Sequence, residues 1–133
     1  MDRPSETYKL IAIHVESGSD VTPTATVEMS IGETVHKMVG KGDGPVDAAY
    51  RTIAAITQTK SRLLSYNVKG ITGGTDALGE VSVSIEEDGK TAMGHGADTD
   101  IIIASARAYL NALNKLAARA ARGGKADPKV GLI

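Results

Sequence analysis

Two stretches of the chain alternate strictly between apolar and polar residues. Val27, Met29 and Ile31 alternate with Glu28 and Ser30, and Val81, Val83 and Ile85 alternate with Ser82 and Ser84. Period-two patterning turns one face of a strand to a core and the other to water, so the first stretch predicts a half-buried strand over Thr24–Ile31. Before it, Leu10, Ala12 and His14 take one side of a strand and Ile11, Ile13 and Val15 the other, with a turn at Ser17-Gly18-Ser19-Asp20. After it, Gly32-Glu33 makes a tight connection to a third strand at Val35–Val39. Glu87-Asp88-Gly89 marks a second hairpin, since Asp-Gly suits a two-residue turn. The period then lengthens to that of a helix. Val46, Ala49, Tyr50, Ile53 and Ile56 form one apolar face, and Ile102, Ile103, Ala106, Leu110, Leu113 and Ala117 another. Pro45 suits the first helical position. Asp98 is the expected N-cap of the second helix, with Asp47 and Asp100 in first turns. The second helix is expected to fray near Gly123-Gly124, leaving residues 123–133 as a flexible tail.

These patterns repeat. The alternating strands are offset by 54 residues, and the same offset carries Gly40-Lys41-Gly42-Asp43-Gly44 onto Gly94-His95-Gly96-Ala97-Asp98. Tyr8–Ile13 matches Tyr66–Ile71 at an offset of 58, which a loop four residues longer in the first copy would reconcile. A duplicated unit of about 55 residues follows, each copy reading strand, strand, strand, helix. The expected divisions are a linker over 1–6, one domain over 7–122 with repeats at 7–62 and 63–122, and the tail.

Composition narrows the functional classes. The 133 residues suit a single domain. Fifteen Lys+Arg against 16 Asp+Glu leave a net charge of -1, without the concentrated basic surface of a nucleic-acid module. There is no Cys, which removes disulfides and thiolate chemistry. No apolar run approaches the roughly 18 residues that span a bilayer, and the charged N-terminus lacks the apolar stretch of a signal peptide. A soluble, reducing, cytoplasmic setting is the expectation. With no Phe, no Trp and four Tyr, the core falls to aliphatic residues and Ala. The 15 glycines read as punctuation at element ends.

Candidate chemistry is sparse. His14, His36 and His95 stand far apart, and no zinc-protease, nucleophile-elbow or phosphate-loop motif is present. His14 reads as structural and His95 as a solvated loop residue between two glycines. Asp98 and Asp100 read as helix-start carboxylates rather than cation ligands. No active site is expected. The glycine-rich turns are more informative. Gly40-x-Gly42-x-Gly44-Pro45 leads into a helix N-terminus, whose free N–H groups and partial positive charge suit a carboxylate or phosphate, although on spacing alone glycines that merely turn the chain are the commoner case. Gly73-Gly74-Thr75-Asp76-Ala77-Leu78-Gly79 joins two strands and exceeds a hairpin's needs.

These loops carry a resemblance. Gly42-Asp43-Gly44-Pro45-Val46-Asp47-Ala48-Ala49-Tyr50, Gly74–Val81, and Asp98–Ile102 with Ala104–Asn114 resemble, in order, segments of the leucine-feedback domain of 2-isopropylmalate synthases. The resemblance covers roughly residues 7–117. It implies an α+β fold of two βββα repeats, two three-stranded antiparallel sheets with two helices sandwiched between them about a pseudo-two-fold. It also implies homodimerisation and binding of L-leucine near the interface. Related domains of citramalate synthases respond to isoleucine, so L-isoleucine is the alternative effector, and a purely structural dimerisation module is a second alternative. Carried over by position, the effector site takes in Gly42, Asp43, Gly44, Val46, Leu63, Tyr66, Gly70, Ala77 and Gly79, with Asp43 standing where Asn is commoner. Asp76 is a further candidate, to meet the ligand's ammonium. The parent enzymes join acetyl-CoA to 3-methyl-2-oxobutanoate in a separate barrel that uses a divalent metal. That barrel's metal motif is absent here, so a non-catalytic fragment without its own cofactor or metal, partnered by that barrel and by neither nucleic acid nor membrane, is expected.

Overall fold

The computed structural model describes residues 6–71 and 77–132, with side chains of α2 described through Ala121. Strands β1 (Tyr8–Gly18), β2 (Val21–Ile31) and β3 (Thr34–Lys41) precede helix α1 (Pro45–Thr57). Strands β4 (Arg62–Ile71), β5 (Leu78–Glu87) and β6 (Lys90–Asp98) precede α2 (Ile101–Leu132). Each trio forms an antiparallel sheet in sequence order, so the expected α+β architecture of two βββα units holds. Helix α1 packs on β2 and β3, α2 packs on β5 and β6, and the helices touch each other between the sheets. The alternating residues supply the floor of each sheet: Ala25, Val27 and Met29 in β2, and Val81, Val83 and Ile85 in β5, are fully buried.

The repeat is real, but its alignment differs from the one that pattern matching suggests. Gly32 and Asp88 open the two hairpin turns, 56 residues apart, and the paired registers follow that offset. Asp88 and Gly89 both take positive φ (55° and 78°), the geometry of a two-residue turn matched to strand twist. In β1, a register shift between Leu10 and Ala12 answers to one in β4 between Leu63 and Ser65, an offset of 53. The longer connection therefore belongs to the second copy, by three residues, and Ile13 rather than Tyr8 is the counterpart of Tyr66. A one-residue bulge swaps the faces of all residues beyond it. Leu10 consequently shares the inner face with Ile13 and Val15, while Ala12 and His14 face outward, and His14 is an exposed surface residue beside Glu16.

Several glycines are contact points rather than punctuation. Gly94 and Gly96 lie inside β6, and a Cβ on either would run into α2 backbone, at Ala108 and Ala112 for the first and at Ala104 and Ala108 for the second. Gly40 faces Thr52 of α1 in the same way. Bare backbone on the sheet and Ala on the helix let the two approach closely, which is how a core with so little aromatic volume is filled. The α2 backbone also continues past Gly123-Gly124, because glycine costs a helix only about 1 kcal/mol against Ala and is no obligatory stop.

Candidate functional site

The start of α1 is built by the Gly42-Asp43-Gly44-Pro45 turn. Gly42 N–H donates to Pro23 O at 3.1 Å, and a Cβ at Gly42 would meet the Ala48 backbone, so the turn closes over the helix only with glycine there. Asp47 Oδ2 accepts from Asp43 N–H at 2.8 Å and from Arg51 Nε at 2.9 Å, which ties the turn down from within. Gly44 is the N-cap, at φ -161°, and supplies no capping side chain. The helix end thus keeps its partial positive charge without an internal carboxylate at the cap.

Helix α2 is the contrast. Asp100, not Asp98, is its N-cap: Asp100 Oδ1 accepts from Ile102 N–H at 2.7 Å and from Ile103 N–H at 3.3 Å. Asp98 lies two residues earlier and accepts from Asp100 N–H at 2.9 Å and from Arg107 at 3.1 Å. With the 56-residue offset, Asp100 is the counterpart of Gly44. One copy of the unit has a carboxylate at its N-cap, and the other has glycine there, with its nearest carboxylate, Asp47 in the first turn, engaged by Asp43 N–H and Arg51.

The remaining predicted residues gather on the second sheet. Leu63, Tyr66 and Gly70 point from β4 to the inner face, and Gly70 pairs directly with Gly79 of β5. Among the described residues no helix backbone packs on β4, so Leu63 and Val68 stay 44% and 50% exposed on a face that is buried elsewhere in the sheet. Gly79 abuts the Ile101 side chain at the start of α2, and Ala77 is exposed just before β5. Asp76 lies outside the described residues. No described contact joins Gly42, Asp43, Gly44 or Val46 directly to the β4 group. Side chains of a tyrosine cluster bridge them. Tyr50, one turn beyond Val46 on α1, meets Tyr66 edge-on with centroids 6.3 Å apart and stacks on Tyr109 at 4.4 Å. Tyr50 Oη donates to Ser105 O at 2.8 Å, and the Tyr66 and Ser105 hydroxyls lie 2.7 Å apart. Burial pushes the Tyr50 hydroxyl well above the ordinary tyrosine range and raises that of Tyr109, so both are neutral. Sequence reading missed Tyr50, Tyr109 and Ser105 as members of this cluster. Tyr50 sits on a helical apolar face, where periodicity marks it as core and nothing more, and Tyr109 and Ser105 fall outside the face read for the second helix.

The histidines do not converge. His95 lies within β6 rather than in a loop, and its Nδ1 is 3.0 Å from Ser82 Oγ on the outer face of the sheet. Among the described residues no group of three or more His, Asp or Glu could hold a metal, and no helix is long and apolar enough to cross a membrane.

A duplicated βββα sandwich, with a capping carboxylate at one helix start and a glycine N-cap at the other, defines a two-unit module. Residues 1–117 match the LeuA allosteric (dimerisation) domain, and the chain belongs to that family. It is 50% identical over 114 residues to a 2-isopropylmalate synthase of Syntrophus aciditrophicus, covering 86% of the chain and 22% of that protein. It is 50% identical over 111 residues to one of Heliobacterium modesticaldum, covering 84% of the chain and 22% of that protein, and 47% identical over 113 residues to one of Nitrosomonas europaea, covering 85% of the chain and 22% of that protein. The chain spans about a fifth of the length of these relatives.

Proposed function

We propose that the chain is the feedback-sensing domain of a 2-isopropylmalate synthase, that it forms a homodimer, and that it binds L-leucine with the ligand's carboxylate at the start of α1. The contrast between Gly44 and Asp100 carries this reading. A carboxylate belongs at the helix start in one copy of the unit, and in the other the protein leaves its place to a ligand. Such a placement is worth about 0.3–2 kcal/mol. The apolar side chain of the ligand would lie toward Val46, Leu63 and Tyr66, where full burial of a leucine side chain adds roughly 1.5–3 kcal/mol. Gly70 and Ala77 leave room because they have little side chain of their own, whereas the space beside Gly79 is taken by Ile101. Asp43 and Asp76 are the carboxylates available to the ammonium, and Asp43 is already engaged by Arg51 at 3.5 Å. In the parent enzyme the domain would restrain a metal-dependent catalytic barrel in the cytoplasm, and the chain itself would do no chemistry.

The test is calorimetric titration of the purified chain with L-leucine, L-isoleucine and L-valine. Saturable binding with leucine tightest supports the reading. Tighter isoleucine binding would reassign the domain to the citramalate branch, and no binding of any of the three would leave a structural dimerisation module. Discrimination between the isomers is expected to be about ten- to two-hundredfold, the range one misplaced methyl group produces.

A further inference from the structure

The four sheet edges of this molecule are treated very differently. An open edge presents unpaired N–H and C=O groups and invites another strand. At β6 the outward groups belong to Thr91, Met93, His95 and Ala97, the residues that alternate with those bonded to β5 in a ladder opening on the Glu87–Lys90 pair. Helix α2 bonds one group of each residue in series. Arg107 donates to Ala97 O at 3.3 Å, Asn111 Oδ1 accepts from His95 N–H at 3.0 Å, Lys115 donates to Met93 O at 2.8 Å, and Arg119 donates to Thr91 O at 2.7 Å. Four helical residues advance about 6 Å and two strand residues about 6.7 Å, so the two ladders stay in step. At β1 a bulge interrupts the edge and Asn114 bonds both the N–H and C=O of Tyr8, at 2.8 and 2.9 Å. At β4 a bulge interrupts the edge at Leu64.

Strand β3 has neither protection. Its register with β2 is unbroken from Thr34 to Lys41. Its outward groups belong to Val35, Lys37, Val39 and Lys41, the counterparts of the four residues capped in β6. The helix positions that would cap them fail one by one. Arg51, counterpart of Arg107, is drawn to Asp43 and Asp47; Ala55 replaces Asn111; and α1 ends at Thr57, before the counterparts of Lys115 and Arg119. Val35 and Val39 are 56% and 60% exposed. Among the described residues this is the one edge with neither bulge nor cap.

We infer that β3 is the edge through which two copies of this chain associate, pairing antiparallel about a two-fold axis at Met38. The lysines disfavour the registers on either side, and the one centred on Met38 pairs all four outward residues. Pairing centred on Lys37 would set Lys37 against its own copy, and pairing centred on Val39 would set Lys37 against Lys41; like charges directly opposite are destabilising. Centring on Met38 places Lys37 opposite Val39 and Val35 opposite Lys41, so every lysine faces a valine. It also brings the two half-exposed Met38 side chains together on the inner face, where they extend the core. Identical edges meeting about a two-fold form a closed, self-complementary interface. This inference rests on the homodimer reading above and names its surface.

The absence of cysteine makes the test direct. In this register Met38 is a non-hydrogen-bonded pair across the axis, with a Cα separation of about 4.5 Å, within disulfide reach. Met38→Cys is expected to oxidise to a covalent dimer. Val35→Cys, about 20 Å from its own copy, is expected not to. Val39→Pro removes an outward N–H while leaving the bonds to β2 intact, and it acts twice in a symmetric dimer. Sedimentation should show dimerisation weakened at least about tenfold, whereas Met93→Pro on the capped β6 edge should leave it unchanged. A wild-type dimer whose Met38→Cys variant stays uncross-linked overturns the β3 assignment and leaves dimerisation standing. A wild-type monomer up to about 100 μM, where association is too weak to matter, overturns both.

Discussion

The hydroxyls of Tyr66 and Ser105 lie 2.7 Å apart, joining the edge strand of the second sheet to the second helix. Ser105 is fully buried, and its carbonyl oxygen accepts from Tyr50 on the first helix. One serine of α2 therefore holds groups from two other elements, α1 and β4, both beside the proposed effector site.

Removing that anchor has a measurable consequence. Tyr66→Phe should destabilise the chain by about 1–3 kcal/mol, because the Ser105 hydroxyl loses its partner in a buried setting. Ser105→Ala should cost about the same, and the double variant less than the sum, since both report one bond. Urea unfolding followed by tyrosine fluorescence measures all three; strict additivity would show that the bond contributes nothing.

Glycine in the β6 interior is expected to be indispensable. Gly94→Ala places a Cβ against Ala108 O and Ala112 N of α2. Backbone atoms cannot turn aside as a flexible side chain can, so the helix must lift from the sheet. Destabilisation of roughly 1–3 kcal/mol or more is expected. Gly44→Ala meets nothing within 4 Å and should cost only a few tenths to about 1 kcal/mol. Thermal melting of the two variants should differ clearly, and equal melting points would refute the packing argument.

Gly44→Asp copies the second unit's own solution. The position has extended backbone and open space for a Cβ, so the substitution is expected to fold and to cap α1 as Asp100 caps α2. The new carboxylate would then occupy the ligand's place. At 4 Å and an effective dielectric near 20 the repulsion is about 4 kcal/mol, reduced by water, so leucine affinity should fall between about tenfold and a thousandfold. Calorimetry combined with melting decides: leucine binding within threefold of wild type, in a folded variant, removes the α1 start from the site.

Alkaline titration probes the tyrosine cluster. Burial raises the Tyr50 and Tyr109 hydroxyls above the ordinary tyrosine value of 10.0, so in the folded state they keep protons that the unfolded chain releases above about pH 10. The unfolded state then binds fewer protons, and stability falls as pH rises. Stability should be flat with respect to these groups below about pH 9 and decline above about pH 10. Tyrosinate absorbance from Tyr50 and Tyr109 should appear together with unfolding. Full ionisation of all four tyrosines in a still-folded chain would contradict their burial.

Much of this molecule was legible from residue order alone, because strand and helix faces have their own periods. Alternation at Val27–Ile31 and Val81–Ile85 placed the two central strands, Asp88-Gly89 placed a hairpin, and Pro45 marked the start of α1. Duplication was visible for the same reason. Its alignment was not, because it depends on the connection between the first two strands, three residues longer in the second copy, which only the strand register reveals; a bulge at Ile11 or Leu64, which shifts every following residue to the other face, likewise leaves no mark in a sequence. Nor could residue order tell a glycine that turns the chain, such as Gly32, from one that admits a helix, such as Gly94: the difference is the atom on the other side. The N-cap passed from Asp98 to Asp100 because two carboxylates two residues apart are equivalent until the helix start is built. Residue order thus determined the elements and their doubling. Only the tertiary structure decided which helix start is left open, which strand edge is left bare, and which tyrosines meet, since each depends on contacts between residues distant in the chain.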